Sequence, residues 1–227
     1  DGVVNNLDLL AIGLGFGDVG IVRPNASLNW EGQACENWEN EQENGINFKH
    51  IDTNGDGIID ENDAAAIDAN YAKTHAVSPS ISEISSAISI TPALTSGNTL
   101  DPNANIITIA LNLNEEQGLD LTAYGLAFAI DYFLPPELAI VNNVTVSFGD
   151  SWLGTPDELL TIWQHFPESN AIEIGLTRFD RQNKTGQGKI GDVIVEVDII
   201  VIGTEELDLF FEISDISLVM SNSTAIP

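Results

Sequence analysis

Twelve consecutive residues constrain this chain more than any others: Asp52-Thr53-Asn54-Gly55-Asp56-Gly57-Ile58-Ile59-Asp60-Glu61-Asn62-Asp63. Oxygen-bearing side chains stand at positions 1, 3, 5, 9 and 12 of the run, glycine stands at position 6, and the apolar residue at position 7 offers its backbone carbonyl. A hard cation such as Ca2+ takes six to eight oxygens at about 2.3–2.6 Å, and a chain wrapped round it turns alternate side chains inward and bends sharply at a glycine. The spacing therefore predicts a calcium loop, with side-chain oxygens from Asp52, Asn54, Asp56, Asp60 and Asp63 and the carbonyl of Ile58. Magnesium fits less well, being octahedral and reluctant to shed water. Asp63, shorter than the Glu that closes sensor loops, favours a constitutive structural site over a switch. Asp52, Asp56, Asp60 and Asp63 repel one another without an ion, so binding is expected to be coupled to ordering of the segment.

The loop recurs. Displaced by 55 residues, Asp1-Gly2 falls on Asp56-Gly57, Asp8 on Asp63, Ile12 on Ile67 and Phe16 on Tyr71. A fixed offset of this kind marks a duplicated unit, here a loop followed by a short helix. In the first copy Asp1, Val3, Asn5 and Asp8 take positions 5, 7, 9 and 12, so positions 1 and 3 fall before residue 1. Upstream residues, or another molecule, are expected to complete that shell. Leu7, Leu10, Ile12 and Leu14 with Phe16 form one short apolar helix, halted by Gly13, Gly15 and Gly17. Ala64, Ile67 and Tyr71 recur at helical spacing in the other. Residues 20–50 form a long insertion between the copies, with Trp30, Trp38 and Phe48 as aromatic anchors packed over the helices.

From about residue 88 the period changes from helical to two. Ile107, Ile109, Leu111 and Leu113 alternate with other residues, as do Val193, Val195, Val197, Ile199 and Val201, the pattern of half-buried strands. Further strands are expected over 87–91, 124–131, 138–148, 159–165, 171–179 and 207–220. With turn residues between and no crossover helix, these strands predict an all-β sandwich. The fold class is thus α+β multidomain: a small helical unit over 1–75, a linker over 76–87 containing Pro79, a sandwich over 88–220 and a tail over 221–227.

Charge narrows the function. The 227 residues hold 35 acids against 7 Lys and Arg, a formal −28. Phosphate backbones and anionic lipid both require clustered cations, so nucleic-acid and membrane-surface binding are disfavoured. No apolar run reaches the roughly 20 residues of a membrane-spanning helix. Cys35 is the sole cysteine, so no intrachain disulfide forms. All four cations after residue 80, Arg178, Arg181, Lys184 and Lys189, fall within one short segment. They are read either as a solvated hairpin tip or as a docking patch for an acidic partner, such as the acidic helical unit of another copy.

The duplicated loop, each copy closed by Asp at position 12 and followed by a short helix, resembles a dockerin module. The insertion, with Arg23-Pro24-Asn25-Ala26-Ser27-Leu28-Asn29-Trp30 and Asn47-Phe48-Lys49-His50-Ile51-Asp52, is similar to a variant found in surface proteins of Bacteroidota. The stretch from 88 to 219, with Ala123-Tyr124-Gly125-Leu126-Ala127-Phe128, Trp152-Leu153-Gly154 and Thr177-Arg178-Phe179-Asp180, resembles a cohesin-type jelly-roll sandwich, or alternatively a carbohydrate-binding one. The dockerin resemblance implies binding to a cohesin.

No catalytic constellation stands out. His50, His75 and His165 lie in unrelated contexts, no serine sits in a nucleophile elbow, and the Gly13, Gly15, Gly17 run lacks a phosphate-loop lysine. Asn25, Asn143, Asn183 and Asn222 begin glycosylation sequons. The sequence as a whole predicts a non-enzymatic, extracellular or cell-surface assembly protein of bacterial type, stabilised by calcium and joining copies head to tail into a fibre, or through donated strands such as the tail. The alternative is a carbohydrate-binding or adhesive module of a secreted or surface protein, with a tryptophan platform drawn from Trp30, Trp38, Trp152 and Trp163.

Overall fold

The structure, a computed structural model, describes residues 2–42, 45–74, 88–96, 106–115, 122–135, 139–200 and 210–219. Asp1, the linker 76–87, Asn222 and the tail 221–227 lie outside these residues. The elements in chain order are α1 (Asp8–Gly15), α2 (Ala64–Asn70), β1 (Ile88–Ser96), β2 (Ile106–Glu115), β3 (Thr122–Ala123), β4 (Gly125–Phe133), β5 (Ala139–Ser147), β6 (Leu159–Phe166), β7 (Ala171–Arg178), β8 (Lys184–Thr185), β9 (Gly188–Ile199) and β10 (Phe210–Val219).

The β elements make a sandwich of two antiparallel four-stranded sheets, ordered β1-β2-β9-β5 and β10-β4-β7-β6, with β3 and β8 paired apart. Alternation builds its core: Ile107, Ile109, Leu111 and Leu113 are buried and face Leu126, Phe128, Ile130, Ile172, Ile174 and Leu176 in one cluster. Each such side chain contributes on the order of 1.5–3 kcal/mol on burial, so this cluster dominates the energetics of the sandwich. Among the described residues no helix is long and apolar enough to cross a membrane.

β4 and β7 break the alternation for a visible reason. Their outward positions Gly125, Ala127, Gly175 and Thr177 are also buried, because α1 lies on them. Register sets Gly125 opposite Thr177 and Ala127 opposite Gly175, so the outward face is a patch of small residues that lets a helix approach closely. A second cluster joins Leu9, Ile12, Trp38, Phe48, Ile51, Ile59 and Ile67 to Ile162 of β6. The helical unit and the sandwich therefore share buried surface.

Two local expectations change. α1 is not halted at Gly13; it runs through Gly13 and Gly15, and the chain turns at Gly17, whose φ of +83° is the left-handed conformation glycine adopts freely. Trp38 and Phe48 are buried anchors of the insertion, whereas Trp30 is 42% exposed.

Candidate metal loop and its seat on the sandwich

Residues 52–63 fold as a series of side chain to main chain turns. Asp52 accepts from the Gly55 N–H at 2.8 Å and the Gly57 N–H at 3.2 Å. Asn54 accepts from Asp56 N–H at 2.8 Å, Asp56 from Ile58 N–H at 2.9 Å and Asp60 from Asn62 N–H at 2.8 Å. Asp63 accepts from Thr53 N–H at 2.7 Å, Asn54 N–H at 3.0 Å and Asp60 N–H at 2.9 Å. Gly57 at position 6 has a φ of +88°. Asp52 and Asp63 are buried while Asp56 is exposed. Burial pushes the carboxyls of Asp52 and Asp63 above their ordinary range; N–H donors work against that rise at both, and Arg23 does so at Asp52.

Among the described residues no group of three or more His, Cys, Asp and Glu side chains is placed to hold a metal by itself. The donors of this loop are more mixed, combining carboxylates with the Asn54 amide oxygen and the Ile58 carbonyl. A carboxylate oxygen has two lone pairs, so one that accepts a single N–H can still take a cation.

The first copy reproduces this geometry. Asn5 N–H donates to Asp8 Oδ2 at 2.9 Å, as Asp60 N–H does to Asp63 Oδ2 at 2.9 Å. Leu7 N–H donates to Asn5 Oδ1 at 3.0 Å, matching Asn62 and Asp60. The copies also cross over. Val4 N–H donates to Lys73 O at 2.9 Å and Ile59 N–H to Asp18 O at 3.0 Å; Ala72 N–H donates to Val4 O and Gly17 N–H to Ile59 O, both at 2.8 Å. The bridges of Val3 with Thr74 and of Val19 with Ile58 obey the same 55-residue offset. Each loop thus leans on the chain leaving the other copy's helix, a local two-fold exchange. Asp1, at position 5 of the first copy, lies outside the described residues.

The two copies differ where α1 meets the sheet. Asn6 is buried and its amide donates to the carbonyls of Phe128 and Ile174, both at 2.9 Å. A Cβ on Gly13 would stand 2.1 Å from Thr177 Oγ1, and one on Gly175 would stand 2.7 Å from Asn6 O. The equivalents of Asn6, Leu10 and Gly13 in the second copy are Glu61, Ala65 and Asp68, all exposed. Only the first copy carries the small, apolar face that docks. Around this contact Tyr71 donates to Glu173 Oε2 at 2.6 Å, Phe16 packs on Phe179 with centroids 5.1 Å apart, and Tyr71 on Phe166 at 6.0 Å. Burial and the Glu173 carboxylate push the Tyr71 hydroxyl far up, so it remains a donor. None of these contact residues was singled out from the sequence for this role. The one signal was the divergence of the repeat, since Asn6 and Gly13 of the first copy stand where the second has the acids Glu61 and Asp68.

The four cations of the sandwich are engaged differently from a single free patch. Arg178 is buried, donating to Leu153 O at 2.7 Å and pairing with Asp180 and Glu158, so it offers no charge to a partner. Lys189 pairs with Asp150 and Asp192, both at 2.8 Å. Lys184 is exposed. Arg181 meets the helical unit of its own chain: it donates to Phe16 O and to Asp18 Oδ2 at 2.6 Å. Asn25 and Asn143 are exposed and Asn183 is half-buried; Trp152 and Trp163 are partly buried against the sandwich core.

No family model matches the chain, and neither does any curated protein. Among solved structures it is similar to a type II cohesin–X-dockerin complex of Acetivibrio cellulolyticus at 14% identity and TM-score 0.38, covering 55% of this chain and 77% of that one. The second type II cohesin module of an adaptor scaffoldin from the same organism is similar at 13% identity and TM-score 0.37, covering 57% and 78%. A cohesin module of a family 33 glycoside hydrolase from Clostridium perfringens is similar at 13% identity and TM-score 0.33, covering 56% and 95%. The sandwich described here is defined by its own strand order and register.

Proposed function

We propose that this chain is a non-catalytic, calcium-stabilised assembly module of an extracellular or cell-surface protein, in which a dockerin-like loop and helix unit is seated on a cohesin-like sandwich. The observation that carries this reading is the loop over 52–63, duplicated over residues 2–8 and joined to its copy by paired main-chain bonds. Asp52, Asn54, Asp56, Asp63 and the Ile58 carbonyl would hold the ion, with Asp60 contributing directly or through water, as position 9 often does. The ion would neutralise carboxylates that otherwise repel one another.

Joining copies through the face of β4 and β7 requires exchange, since each chain's own α1 already covers that face. Exchange of an identical element between chains is a low-cost route to oligomers and, when the rotation does not close, to filaments. Titration of the purified chain with CaCl2 by calorimetry tests the ion, and free calcium at 100 times Kd should stabilise the fold by about 2.7 kcal/mol. That corresponds to a rise in melting temperature on the order of 5–10 °C. Sedimentation and electron microscopy with calcium and with chelator test assembly; a single monomeric species at high concentration in calcium removes that part of the reading.

One observation favours a second reading, a carbohydrate-binding module. Trp30, 42% exposed, borders a cavity of about 860 Å³ that Asn29, Gln33, Asn37 and Gln42 also line. An accessible aromatic face flanked by amides suits a sugar ring. Retention on immobilised glycans that disappears in Trp30→Ala, without self-association, would favour it.

A further inference from the structure

We propose that Arg181, a residue of the sandwich, is a positioning residue for the loop over 52–63 and sets the affinity of that loop for calcium; this rests on the calcium reading above. Arg181 clasps the segment leaving α1 at two points, the Phe16 carbonyl and the Asp18 carboxylate, while Phe179 packs on Phe16 from the same side of the sandwich. That segment in turn holds the loop. Asp18 O accepts from Ile59 N–H at 3.0 Å, Gly17 N–H donates to Ile59 O at 2.8 Å, and Gly20 N–H donates to Gly57 O at 2.9 Å.

The bond to Ile59 matters most. Its N–H belongs to the peptide unit whose carbonyl is that of Ile58, the main-chain oxygen at position 7. No peptide in the described residues is cis, and in a trans peptide the N–H and C=O point in opposite directions. Tying the N–H to Asp18 therefore turns the Ile58 carbonyl away from residue 18. Arg181 fixes Asp18, Asp18 fixes the peptide plane, and the plane presents the oxygen. What calcium contributes to the docked arrangement, docking must return to calcium affinity, because coupling between two equilibria is reciprocal.

Charge and coupling predict opposite signs, which makes the test decisive. Removing the Arg181 cation, and with it the ion pair of the Asp18 carboxylate, should tighten calcium binding if Coulomb interactions alone act. Coupling requires the reverse. Calorimetric titration of the full chain with CaCl2 should show Arg181→Ala binding roughly fivefold or more weakly, the lower end of ordinary coupling. Phe179→Ala, which changes no charge, should weaken binding in the same direction, and both should speed amide exchange at residues 57–60. Equal or tighter binding by both variants, with circular dichroism unchanged from the parent, overturns the role of Arg181 and leaves the calcium reading intact. Absence of any calcium heat in the parent chain overturns the calcium reading itself.

Discussion

At the scale of single residues, the loop shows how burial and ligation compete. Burial lifts the carboxyl groups of Asp52 and Asp63 above their ordinary values, so in the metal-free fold each holds its proton to a higher pH than a free carboxyl does. Stability from a raised group is present below its unfolded value and is lost as pH rises through the folded value. Calcium needs both groups ionised. Its affinity should therefore climb with pH through that raised window, and chelator should lower the melting temperature more at neutral pH than within the carboxylate range; calorimetric titrations over a pH series check this. The residue types and spacing of the loop were legible because one chain segment supplies every donor. Asn6 was not legible, since its two acceptors, Phe128 and Ile174, lie 122 and 168 residues away. Asn6→Ala should cost about 1–3 kcal/mol by leaving buried carbonyls without that donor, read as a lower denaturation midpoint.

Elements follow the same division. α1, α2, β2 and β9 were readable from period, because each records its own burial in its own residues, and the other long strands from apolar runs set off by turn residues. Glycine was misread in α1 for a physical reason. Gly13 lowers helix propensity locally, yet it is kept within the helix because the backbone must approach Thr177. On an exposed helix Gly→Ala would gain about 1 kcal/mol. At Gly13 the added carbon meets Thr177, which is fully buried and cannot swing aside, and overpacking of this kind costs about 1–3 kcal/mol. Gly13→Ala should therefore destabilise the chain in thermal melts; stabilisation would show that α1 does not lie on β7 as described. The small outward residues of β4 and β7 answer the same close approach from the other side.

For the whole molecule, the consequence is that unit and sandwich share one buried contact and are expected to unfold together. The second hydrophobic cluster borrows Ile162 from β6, and Arg181, Tyr71 and Asn6 bond across the contact. Differential scanning calorimetry in calcium should show one transition, moving down as a whole on chelation; two separate transitions would indicate that the contact contributes little. The net charge of −28 belongs at this scale too. With Arg178 and Lys189 neutralised within the sandwich and Arg181 committed to Asp18, attraction between copies has little cationic surface to draw on. By itself the sequence determined the loop, its repeat, the short helices and the alternating strands, all of them properties of local spacing. Only the tertiary structure decided that the helical unit sits on its own sandwich and which of two related helix faces makes the contact. That choice depends on shape, hydrogen-bond acceptors and charge brought together from segments more than a hundred residues apart.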